Sequence, residues 1–112
     1  MGSIKDRIAI IGMGCTKFGE NWDMSSKDMM IDAAYEAFAD AGIKPEAVEA
    51  AWLGTYVSGL TGQALAEPLK LQYKPITRVE NMCASGLDTL RNAAYAVAAG
   101  MYDLVLAVGV ES

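Results

Sequence analysis

Short apolar runs alternate with longer stretches of helical periodicity along this chain. Arg7 to Gly14 is an isoleucine-rich run closed by glycines, which predicts a strand buried on both faces. A loop follows from Cys15 to Trp22. Ser25, with Asp28 three residues on, predicts a capped helix start. Met30, Ala33, Ala34, Ala37, Phe38 and Ala41 then recur on one face, and Gly42 supplies the stop. Asp32, Glu36 and Asp40 form an acidic stripe expected to be a solvated helix face. Pro45 to Ala47 reads as a short helical turn, Ala50 to Val57 as a strand and Gln63 to Leu71 as a shorter helix. Ile76 to Glu80 reads as a strand, Ala84 to Ala99 as a helix ended by Gly100, and Asp103 to Val110 as an apolar strand buried on both faces. Strand and helix alternate throughout, so the fold class is α/β, helices on a central sheet, with residues 1–112 forming part of one domain.

The helix from Ala84 to Ala99 is unusual in composition. Small residues cover most of its surface, and Asp88, Arg91, Asn92 and Tyr95 make one polar edge. Neighbouring backbones can approach such a helix closely, which predicts a central helix clasped between layers rather than a surface helix. One four-stranded sheet cannot clasp it twice, so a second sheet is expected from further sequence or another chain. The last residues, Glu111 and Ser112, directly follow an interior-type strand, which adds to the expectation that the natural protein continues.

Composition narrows the function classes. The chain has 112 residues, 53% of them hydrophobic, which suffices for a core. The net charge is −5 and the nine Lys and Arg are scattered, so no basic patch suits nucleic acid or an anionic membrane. No apolar run approaches the roughly 20 residues of a membrane span. Two cysteines make no disulfide framework, and two free thiols suit a reducing, cytoplasmic compartment. With no histidine and no clustered carboxylates, a metal site is not expected.

Cys83 carries the candidate chemistry. It lies in Asn81-Met82-Cys83-Ala84-Ser85-Gly86, where a strand gives way to a helix. Helix starts gather unpaired N–H groups with partial positive charge, a setting that suits an anionic nucleophile or intermediate. Ser85 and Gly86 let a substrate approach the backbone closely. The plain alternative is a small buried hydrophobe. A cysteine nucleophile also needs a base and an acid, and no histidine is present to serve as either, so the chain holds half of an active site. Cys15 is expected to be structural. Gly12-Met13-Gly14 follows a predicted strand, but Lys17 stands where a dinucleotide fingerprint needs its third glycine, so a nucleotide site is rejected. Tyr56, Ser58 and Gly59 to Gly62 are weaker candidates for a pocket wall. Trp22 and Trp52 are expected in the core or an interface, and Asp88 with Arg91 as a surface pair.

The cysteine box, the small-residue helix and Asp103 to Ser112 together resemble the thiolase superfamily. Ile8 to Gly19 and Ala51 to Thr55 are similar to the sterol-carrier-protein-X-type branch, which includes acetyl-CoA acetyltransferases. The resemblance implies a thiolase-like αβαβα layered fold of which this chain is the first part of the N-terminal half. It implies that Cys83 forms an acyl-thioester in cleaving or making 3-ketoacyl-CoA, with the N–H groups of Cys83 and Ala84 at the helix start as oxyanion donors. Coenzyme A and acyl-CoA would be substrates, with no covalently bound cofactor and no metal. The family's histidine, second cysteine and coenzyme A contacts come from later sequence. The resemblance also implies a homodimer or higher oligomer with Ile76 to Glu80 at its interface, and a possible zinc-ribbon, OB-fold partner protein. Two rival readings keep the fold: a non-catalytic scaffold subunit, and a thiolase-fold aldolase.

Overall fold

The computed structural model describes residues 2–112, and among them no helix is long and apolar enough to cross a membrane. Helix α1 spans Ser26–Ala41 and is followed by a 3-10 turn at Pro45–Ala47 and strand β1 at Ala50–Gly54. Helix α2 spans Gln63–Leu69, β2 Ile76–Val79, α3 Ser85–Ala98 and β3 Val105–Gly109. The three strands form a parallel sheet in the order β2-β1-β3. Parallel neighbours need crossover connections, which α2 and α3 provide.

Local chemistry sets the ends of α1. The Ser25 hydroxyl accepts the Asp28 N–H at 3.1 Å, and the Asp28 carboxylate accepts the Ser25 N–H at 3.0 Å. The Ser25 N–H, ahead of the Ser25 hydroxyl, holds the Asp28 carboxyl below its ordinary value. Gly42 closes the helix with φ at 70°, a left-handed conformation open to glycine.

The two faces of the sheet follow from strand alternation. Ala51 and Leu53 face α1 and α2, where they join Met30, Ala34, Phe38, Leu65, Leu69 and Val108 in one buried core. Gly54 lies on the opposite face against α3, where an added Cβ would come within 2.3 Å of Thr89 Oγ1 and 2.8 Å of Ser85 O. That glycine permits the close approach of helix and strand expected from the small residues of α3. The outer side of α3, with Leu87, Leu90 and Tyr95, is exposed.

The structure corrects four sequence expectations. Residues 7–14 pair with no strand and run as an extended strap along α1. Their apolar content predicts burial in a sheet, but periodicity does not supply a neighbour, and Ile10 and Ile11 are exposed. Gly12 and Gly14 sit so close to α1 that a Cβ would lie 2.4 Å from Ala37 O and 2.0 Å from Ala33 O, respectively. The acidic stripe is accordingly not merely solvated. Asp40 accepts the Met13 N–H at 2.9 Å and Glu36 the Cys15 N–H at 3.1 Å, replacing sheet hydrogen bonds for the strap. Strand β3, expected to be sealed on both faces, is an edge strand and mostly half-buried. Trp22 is exposed and so lies outside the core, one of the two places expected for it, whereas Trp52 packs edge-on against Tyr102 at 6.3 Å.

Candidate active site around Cys83

Adjacent parallel strands whose following helices lie on opposite faces leave a crevice at their carboxyl ends, a common place for a site in α/β folds. The chain leaves β1 toward α2 on one face and leaves β2 toward α3 on the other. Residues 55–62 and 80–84 therefore lie at the carboxyl ends of β1 and β2, and Cys83 stands in the second segment.

The turn carrying Cys83 is tightly bonded. Ala84 N–H donates to Asn81 O at 3.0 Å, and Ser85 N–H to Met82 O at 3.2 Å. The Ser85 hydroxyl donates to Met82 O and accepts the Asn81 N–H, both at 2.7 Å. Glu80 accepts the Met82 N–H. Between these bonds Met82 is held at φ 51°, a left-handed conformation that costs a non-glycine residue about 1–2 kcal/mol. Ser85 is buried, whereas Met82 and Cys83 are exposed. The turn thus spends its hydrogen bonds on fixing its own backbone and leaves the thiol open to solvent. Ala84, expected beside Cys83 as an oxyanion donor, already gives its N–H to Asn81.

The segment formed by residues 55–59 is held by two charged residues that sequence reading passed over. Glu111, just beyond β3, accepts the N–H groups of Tyr56, Val57 and Ser58 at 2.8–3.1 Å, and the hydroxyls of Thr55 and Ser58 at 3.2 and 2.9 Å. The Tyr56 N–H chiefly draws its carboxyl down from 4.5 to about 2, with burial opposing and Val57, Ser58 and Thr55 adding to the fall. Arg78 on β2 donates Nε to Gly59 O at 2.7 Å and Nη2 to Tyr56 O at 2.8 Å. Tyr56 and Ser58, singled out as possible pocket residues, are therefore parts of a fastened loop. The signal that could have exposed Glu111 is its acidic side chain directly after an apolar strand.

Other sequence candidates lie elsewhere. A groove of about 730 Å³ separates the strap from β3 and does not include Cys83. A second of about 490 Å³ runs between Ile8, Ile10 and α3, and Asn81 and Ala84 reach its rim. Cys15 is exposed and free, its thiol 3.2 Å from Thr16 O. Arg91 bonds Asp88 on α3 as its spacing suggests.

Residues 8–112 match the family model described as "Thiolase, N-terminal domain". The acetyl-CoA acetyltransferase of Methanothermobacter thermautotrophicus is 41% identical over 110 residues, covering 93% of this chain and 29% of that protein. Sterol carrier protein 2 of Gallus gallus is 38% identical over 109 residues, covering 94% of this chain and 20% of that protein. Among solved structures, the Ltp2-ChsH2(DUF35) aldolase is similar with a TM-score of 0.71 at 29% identity, over 84% of this chain and 25% of that one. The chain thus spans under a third of the length of each of these relatives.

Proposed function

Since this chain belongs to the thiolase family, through its N-terminal domain, we propose that it is the nucleophile-bearing part of an acyltransferase acting on 3-ketoacyl-CoA. The observation that carries the reading is the exposed Cys83 thiol on a fixed, strained turn at the carboxyl edge of a parallel sheet. In the cleavage direction the Cys83 sulfur attacks the keto carbon and its proton passes to a base. The resulting oxyanion is met by the Cys83 N–H at the start of α3, while Ala84 serves through the turn that orients it. When the carbonyl re-forms, the carbon–carbon bond breaks and its electron pair leaves as the enolate of an acyl-CoA, which takes up a proton. Coenzyme A then displaces the acyl group from Cys83. The base and the acid come from outside this chain, which contains no histidine. Synthesis is the same sequence reversed.

In this reading the acyltransferase is an assembly, a homodimer or larger, with the exposed edge of β2 at the interface between copies. It works in the cytoplasm, where both thiols stay reduced, and coenzyme A enters as substrate rather than as a bound cofactor. Similarity to the Ltp2-ChsH2(DUF35) aldolase supports two further elements. One is a second protein of the zinc-ribbon, OB-fold kind beside the thiolase subunit. The other is the rival reading of carbon–carbon cleavage by an aldolase, in which Cys83 carries no acyl group.

Thiolysis of a 3-ketoacyl-CoA by the complete enzyme containing this chain tests the reading. Cys83→Ser is expected to lower kcat by roughly a thousandfold or more, as loss of a covalent nucleophile does. The 112-residue chain by itself is expected to show no turnover. Undiminished turnover in Cys83→Ser would overturn the nucleophile assignment and favour the aldolase.

A further inference from the structure

The loop after β1 is gripped from two sides by opposite charges. Its N–H groups at Tyr56, Val57 and Ser58 converge on the Glu111 carboxylate, while its carbonyls at Tyr56 and Gly59 receive the Arg78 guanidinium. Donors face the anion and acceptors face the cation, so the peptide dipoles align with both. Glu111 is exposed, so the hold comes from several directional bonds more than from bare attraction through water. Residues following β3 and within β2 thereby fix a loop that follows β1. That loop begins one residue past Gly54, against which Ser85 packs, and Cys83 stands two residues before Ser85. Loop and thiol share one end of the sheet.

We propose that Glu111 and Arg78 are positioning residues that hold residues 55–59 as a rigid wall beside Cys83 and so set how an acyl-CoA thioester meets its sulfur. This rests on the acyl-transfer reading above. Neither residue takes part in a covalent step. The wall matters for a long thioester and not for a small reagent, and that difference separates positioning from mere folding.

The test uses the complete enzyme containing this chain, as wild type, E111Q, E111D and R78M. Three quantities are measured: amide hydrogen exchange, acylation of Cys83 by acetyl-CoA read by mass, and alkylation of Cys83 by iodoacetamide. In E111Q the Tyr56, Val57 and Ser58 amides are expected to exchange at least tenfold faster, with α1 amides unchanged. Acylation should slow about tenfold while alkylation stays within about twofold, and E111D should recover part of both losses. R78M should act in the same direction, which keeps the test open if E111Q fails to fold. Unchanged loop exchange, or acylation and alkylation falling together, would overturn the proposal. A wild type that is never acylated would overturn the acyl-transfer reading and the positioning role with it. A wild type acylated at a rate indifferent to E111Q would overturn the positioning role alone.

Discussion

On the α1–α2 face of the sheet Met30, Leu53, Leu65 and Leu69 are sealed from water, whereas the α3 side turns Leu87, Leu90 and Tyr95 outward. The first face buries a continuous apolar core within the chain. Two amphipathic helices, one with a full capping box, cover Ala51, Leu53 and Val108. The second face packs small residues tightly at Gly54, Ser85 and Thr89, and then leaves Leu87, Leu90 and Tyr95 exposed. Burial of a leucine stabilises by about 1.5–3 kcal/mol, so this surface is a large unused source of stability. The difference teaches where the chain seals its own apolar side chains and where it leaves them at the surface.

Substitution sharpens that contrast. Leu53→Ala on the buried face is expected to destabilise by about 2–5 kcal/mol in urea unfolding, because it removes a fully buried side chain and leaves a cavity. Leu87→Ala, 74% exposed on the other face, should stay within about 0.5 kcal/mol in the isolated chain. Equal losses at the two sites would break the comparison. Ser25→Ala, which removes the cap of α1, is expected to cost about 1 kcal/mol by the same measurement. No change there would mean that packing, not capping, sets the helix start.

The smallest expected effect is one of pH. Glu111 lies at about 2 when folded against an ordinary 4.5, so the folded state holds its proton less tightly than the unfolded state. Its stabilisation is therefore fully present above about 4.5 and is lost as pH falls toward 2. Exposure to solvent keeps this contribution small. E111Q is expected to flatten acid unfolding slightly in that window, and an unaltered acid limb would remove the clasp from the account of stability.

Sequence was most informative where the physics is local. Ser25, Asp28 and Gly42 mark α1 through bonds spanning a few residues, and the start of α3 behind Cys83 was legible within one position. The family box around Cys83 likewise sits in consecutive residues. Arg7 to Gly14 misled because an apolar run reports burial preference and not the presence of a neighbouring strand. Glu36 and Asp40 read as solvated because their partners, the N–H groups of Cys15 and Met13, lie more than twenty residues away. The Glu111 clasp was hidden for the same reason, with 53–56 residues separating its two sides.

The central claim is that Cys83 carries the acyl group, and trapping that intermediate tests it most directly. The complete enzyme, mixed with a 3-ketoacyl-CoA in the absence of free coenzyme A and quenched in acid, is to be digested and weighed. The account expects the mass of one acyl group on the peptide that contains Cys83, and none there in Cys83→Ser. Cleavage of the substrate with no adduct on that peptide, at undiminished rate in Cys83→Ser, would contradict it.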